Sequence, residues 1–211
     1  MFLQASEIPS GTVLEADLCI VGGGVAGLTL AHELSGSGLR ILLLESGPAP
    51  GTPPALTGIP RAQNAGLPYS QLDQAMHRQL GGCANLWNID LGEGELGPRL
   101  QPLMSIDFEE REWVPLSGWP FGLDELQPYY SAARALAGLP EPEEGDALGE
   151  RPPLRFACDD VESTLFQFLD RRLFTERIPA CLEAAEAVRV LLGATVTELV
   201  PVSGDSLEVE R

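Results

Sequence analysis

Residues Asp17 to Ser46 carry the pattern that most narrows the choice of fold. Leu18 to Val21 is a short apolar run suited to a strand buried on both faces of a parallel sheet. Three glycines follow at the spacing Gly22-x-Gly24-x-x-Gly27. Gly22 permits a tight turn, Gly24 presents no Cβ to a pyrophosphate, and Gly27 lets the next helix pack closely on the strand. Ala26, Leu30, Ala31 and Leu34 predict the sheet-facing stripe of that helix, and Gly36 and Gly38 predict its end. Backbone N–H groups at the helix start face the phosphates, and the helix dipole adds to the attraction. A second strand is expected at Arg40 to Leu44. Glu45 closes it, near the ~20-residue spacing from the first glycine at which a carboxylate accepts ribose hydroxyls. An acid there also disfavours a 2′-phosphate. A glycine-rich turn can join strand and helix without binding anything, but strand, helix and acid in one register point to a dinucleotide.

Composition bounds the rest. With 44% hydrophobic residues in 211, the chain has material for one large domain or two small ones. No stretch approaches the length of a membrane span, and the amino terminus lacks the basic region and apolar core of a secretory signal. Cys19, Cys83, Cys158 and Cys181 show neither metal-ligand nor disulfide spacing, so no metal site is expected and a cytoplasmic location is the default. The basic residues are all arginine, and the formal net charge of −18 opposes nucleic acid or an anionic membrane as partner. Asp107 to Glu112 and Glu141 to Asp146 read as solvated acidic loops.

After Glu45 the pattern changes. Ser46 to Pro68 is rich in Pro and Gly and predicts an irregular surface excursion. Next comes His77-Arg78-Gln79-Leu80-Gly81-Gly82-Cys83-Ala84-Asn85-Leu86-Trp87-Asn88, in which the glycine pair allows close backbone approach to a ligand and the asparagines offer donors and acceptors. Most such segments are a turn beside a buried Trp, but this one follows a nucleotide fold. Ser117-Gly118-Trp119-Pro120 breaks regular structure, and Leu126, Tyr130, Ala133 and Ala137 then recur at helical spacing before Gly138 and Pro140. Core packing is the plainer reading of Tyr129 and Tyr130. Phe174 to Ala187 predicts an amphipathic helix, Val188 to Leu192 a strand, Thr195 to Val200 another, and Ser203-Gly204-Asp205 a turn into Leu207 to Glu210.

Three blocks together, Asp17 to Ser46, Arg78 to Trp87, and Ser117 to Pro120 with Leu126 to Tyr130, resemble the amino-terminal part of the glucose-methanol-choline (GMC) family of FAD-dependent oxidoreductases. The resemblance implies an α/β fold, with a Rossmann-like parallel sheet and β-meander plus part of an inserted cap or substrate region. It implies a first FAD-binding segment over 13–100, an insertion over 101–173 and a return over 174–211. It further implies that Gly22, Gly24, Ala26 and Gly27 hold the pyrophosphate region, Glu45 the adenosine ribose, and Val196 the adenine through its main chain. Arg78, Gly81, Gly82 and Asn85 would lie near flavin and pyrophosphate. FAD is then favoured over NAD. Where some members attach flavin through a histidine, this chain reads Leu86, which has no nucleophilic nitrogen, so a noncovalent flavin is expected.

The family's chemistry is hydride removal from a CH–OH group of an alcohol, sugar or polyol, with a carboxyl-terminal His paired to His or Asn taking the hydroxyl proton. No such motif occurs here, so catalytic residues cannot be assigned and a truncated chain or a complementary subunit is expected. His32 reads as structural and His77 as a weak base candidate. Cys83, with no partner cysteine nearby, reads as a small packed side chain rather than a redox thiol. A noncatalytic flavin-binding or interaction module and an NAD-dependent dehydrogenase are the competing readings.

Overall fold

The computed structural model describes residues 1–52, 66, 76–87, 89–90, 95–140 and 167–200. The chain divides into two compact units, Met1–Glu95 with Arg171–Arg211, and Leu96–Asp170. In the first, the principal elements are β1 (Phe2–Gln4), β2 (Leu18–Val21), α1 (Val25–Leu34), β3 (Ile41–Glu45), α2 (Ile178–Ala184) and β4 (Val188–Leu192). The strands form one sheet in the order β1-β4-β3-β2, parallel at every pairing. Parallel neighbours need a crossover connection, which α1 supplies between β2 and β3. This is the mixed α/β, Rossmann-like architecture expected from the sequence. Strand β1 precedes residue 13, the expected start of the domain, because three residues are too few for a periodic signal.

The core lies in the centre of this sheet. Ile41, Leu43, Val188 and Val190 are fully buried, and Leu42 is nearly so, which fits strands covered on both faces. Leu28 and Ala31 of α1 and Ile178 and Leu182 of α2 complete it. At the open end of β2, the backbone N–H and guanidinium of Arg40 donate to the Asp17 carboxylate at 2.7–3.1 Å. That bond, with the Asp17 charge, holds the Arg40 guanidinium more firmly protonated than usual and secures the start of the β2–β3 pairing.

Three expectations are corrected. The sheet-facing stripe of α1 is Gly27, Leu28 and Ala31, while Ala26 is exposed and Leu30 is 52% exposed. Gly27 sets this rotation, since a Cβ there would sit 1.9 Å from the Gly22 carbonyl oxygen and the helix therefore lands on its glycine. Second, the helix expected over Phe174 to Ala187 is a wide π turn at Leu173–Arg177 followed by the seven-residue α2. Glu176 and Arg177 both donate to the Arg172 carbonyl at 2.9 Å, and Pro179 occupies the first turn of α2, where its missing N–H costs nothing. Third, Thr195 to Val200, Val196 included, forms no strand. Gly193, at φ +70, ends β4, and the Gly193 and Ala194 amides turn back to the Gly47 and Glu45 carbonyls.

In the second unit, Leu123–Ala137 is a helix closed by Gly138 at φ +70, whose N–H and that of Leu139 donate to Ala135 and Arg134 carbonyls. Phe108, Trp119 and Phe121 cluster with ring centroids 5.4–6.3 Å apart. Arg99–Leu100 pairs antiparallel with Gln167–Phe168. The Tyr130 hydroxyl accepts the Leu103 N–H at 3.0 Å and the ring is half-buried, whereas Tyr129 is exposed. The expected turn at Ser203 to Asp205, the strand at Leu207 to Glu210, the acidic run Glu141 to Asp146, Cys158, Asn88 and most of Ser46 to Pro68 lie outside the described residues.

Replacing the fully buried Leu43 with Ala in the central strand should lower unfolding free energy by about 2–5 kcal/mol in urea titration.

Candidate functional site

The glycine turn sits at the carboxyl end of β2 and opens α1. Gly22 takes φ +102, a conformation glycine adopts without strain, and its N–H donates to the Leu44 carbonyl at 2.8 Å. Gly24 is the N-cap residue, no side chain caps the helix, and no acid occupies its first turn. The leading N–H groups of a ten-residue helix therefore keep their affinity for an anion. A Cβ on Gly24 would meet nothing within 4 Å, so the space a phosphate needs is open on that side.

Gly23, between these two, is the residue that the sequence left unremarked. Its N–H donates to Glu45 Oε2 at 2.7 Å, and its carbonyl accepts the Gly81 N–H at 2.8 Å. A Cβ on Gly23 would stand 2.7 Å from Leu80 Cδ1 and 3.0 Å from Glu45 Oε2. The second carboxylate oxygen, Glu45 Oε1, accepts the Gly47 N–H at 2.6 Å. Glu45 is only 6% exposed, so its charge is balanced by backbone donors in the interior. The carboxylate expected at the adenosine ribose is thus bonded to the glycine turn on one side and to Gly47 on the other.

The second glycine pair lies against the first. Gly81 and Gly82 both have positive φ, at +91 and +54, and a Cβ on Gly82 would reach the Gly24 Cα at 3.1 Å. Asn85 closes this 3-10 turn by donating its amide to the Leu80 and Gly82 carbonyls at 3.0 and 2.8 Å. It also lines a cavity of about 200 Å³ with Pro50, Gly51, Arg171, Arg172, Thr175 and Glu176. Cys83 is half-buried in the turn.

Arg78 bridges two strand ends. Its Nε donates to Ser46 Oγ at 3.1 Å and its Nη2 to Thr195 Oγ1 at 3.0 Å, next to the half-buried Val196. Gly47 packs on this segment so closely that a Cβ would lie 2.3 Å from the Arg78 carbonyl oxygen. Gly22, Gly24, Gly27, Glu45, Arg78, Gly81, Gly82, Asn85 and Val196 therefore gather along the carboxyl ends of β2, β3 and β4, where ligands bind in open α/β sheets. Ala26 starts the same helix but faces outward. Sequence reasoning passed over Gly23, Ser46, Gly47, Gln79 and Thr195. The middle residue of the glycine triplet and the Gly following Glu45-Ser46 were the available signals, since both need room that only glycine leaves.

His77 Nε2 pairs with Gln79 Oε1 at 2.8 Å, and buried Gln79 donates in turn to the Ala49 carbonyl. His32 lies in the last turn of α1. Among the described residues no group of three His, Cys, Asp or Glu is placed to hold a metal ion.

Gly27→Ala should destabilise the chain by about 1–3 kcal/mol in urea, because the new methyl collides with backbone that cannot yield. Gly36→Ala, which meets open space, should change stability by less than about 0.5 kcal/mol.

A family model described as FAD dependent oxidoreductase matches residues 17–210, from the start of β2 through the segment after β4. A search of curated proteins finds no match to the chain. With the glycine turn, the uncapped α1 terminus and the parallel sheet that presents them, this match over most of its length shows that the chain belongs to the FAD dependent oxidoreductase family.

Proposed function

We propose that the chain is the FAD-binding portion of a glucose-methanol-choline type oxidoreductase acting on a CH–OH group of an alcohol, sugar or polyol, with flavin held noncovalently. The observation that carries this reading is the apposition of the two glycine turns, Gly82 against Gly24, beside an α1 terminus with no capping side chain. The open side of Gly24 fits a pyrophosphate, and the positive charge of Arg78 at the same rim fits an anionic cofactor. FAD would supply a two-electron acceptor for hydride. The residues named here bind and orient it. The second glycine pair followed by Ser117 to Pro120 and Leu126 to Tyr130 supports the glucose-methanol-choline reading.

Leu86 at the position of histidyl attachment carries no nucleophile, which supports noncovalent binding. The chain's two histidines, His77 paired with Gln79 and His32 on α1, belong to no His–His or His–Asn motif, and neither is assigned as the general base for the alcohol proton.

FAD should quench its fluorescence on mixing with the purified chain and return wholly to the supernatant on acid precipitation. Yellow polypeptide in the pellet would contradict noncovalent binding. The same chain with FAD and a panel of primary and secondary alcohols should show no substrate-dependent bleaching of flavin absorbance. Bleaching would mean that this chain itself supplies a base.

A further inference from the structure

We propose that the cavity behind the second glycine turn binds inorganic phosphate in its hydrogen-bearing form, at a site separate from the one assigned to FAD. The turn has two faces. Gly82 looks toward Gly24, whose Cα a Cβ there would reach at 3.1 Å. Gly81 looks elsewhere, since a Cβ on it would lie 3.2 Å from the Phe174 carbonyl oxygen and 3.4 Å from Thr175 Cγ2. The cavity of about 200 Å³ shares Thr175 with that second face, and Asn85, Arg171, Arg172 and Glu176 line it as well.

The local fold assembles this lining. Arg171 and Thr175, and likewise Arg172 and Glu176, stand four residues apart, so one turn sets two cations alongside a hydroxyl and a carboxylate. That turn is the π turn Leu173–Arg177, a widened form that recurs at functional sites. In a chain of net charge −18, two adjacent arginines on one cavity are a local exception that favours an anion. Both are exposed and make contacts within the chain, and the five N–H donors of a guanidinium let it serve an oxyanion as well.

Acceptors complete the set. Asn85 gives its amide hydrogens to the Leu80 and Gly82 carbonyls, which leaves Oδ1 as the group it offers. Thr175 gives its hydroxyl hydrogen to the Arg171 carbonyl at 3.3 Å, which leaves the oxygen lone pairs. With the Glu176 carboxylate, these are groups that a fully deprotonated oxyanion cannot use and that the O–H of hydrogen phosphate can.

The whole chain is titrated calorimetrically at about pH 8 and constant ionic strength with inorganic phosphate, with sulfate, and with methyl phosphate, a monoester whose second proton is gone at that pH. Phosphate should bind saturably and about tenfold more tightly than either comparison ion. Arg171→Gln and Arg172→Gln should each weaken phosphate about tenfold, and Glu176→Gln, which sets an N–H₂ donor where the carboxylate stood, should erase the preference over sulfate. All three side chains are exposed, thermal unfolding of each variant is followed alongside, and the comparison of ions on the wild-type chain needs no variant. Absence of saturable phosphate binding overturns the proposal, as does equal binding of sulfate or methyl phosphate by the wild-type chain. Binding that survives both arginine substitutions would place the ion at the uncapped start of α1 and would overturn it equally.

Discussion

A carboxylate withdrawn from water must find donors that do not move, and Glu45 finds two backbone amides on opposite sides of itself. The arrangement at the sheet's carboxyl edge follows from that requirement. Gly23 has to lie close enough to give its N–H to Oε2, and with Leu80 Cδ1 against the same glycine this leaves no room for a side chain. Gly47 has to turn back toward Oε1, which presses it onto the Arg78 backbone. Glycine at these two positions is a packing condition. Gly23 is fixed as a partner for the Gly81 amide, so the second glycine pair takes its place from the first.

Charge is distributed along this edge in layers. The buried negative group faces backbone amides, while the arginine next to it stays half-buried and bonds hydroxyls from Ser46 and Thr195. In a strongly acidic chain, Arg78 and the uncapped α1 amino terminus place positive charge and a favourable helix dipole at this edge.

Much of this was legible in the sequence where geometry is local. Leu18–Val21 forms as expected, and the strand after α1 is displaced by one residue, because Glu45 extends the ladder by pairing with Leu192. Glycine spacing revealed the turn, since the requirement for a missing Cβ acts within six residues. The inward face of α1 was misread because hydrophobicity alone ranks Leu30 with Leu28. The contact between Gly27 and the Gly22 carbonyl, a tertiary fact, decides which one is buried. Glu45 shows the same limit at the site. Its distance along the chain from the first glycine marks it as important, but the direction of its carboxylate depends on Gly23, Gly47 and Leu80. Thr195 to Val200 has β-like composition and still makes no strand, since Gly193, at φ +70, turns the chain as β4 ends.

The order of strands in the sheet sets a schedule for folding. Phe2, Leu3 and Gln4 pair with Val190, Leu191 and Leu192, so among the four strands of this sheet the earliest in sequence is paired with the latest. β3 likewise waits for β4 along its other edge, and only the β2–β3 pair can close early. Bringing such distant segments together costs loop entropy before any contact repays it, and long-range parallel pairing is slow for that reason. During synthesis, β3 therefore passes through a period with one apolar edge open, and the interval is set by translation rather than by the strand itself.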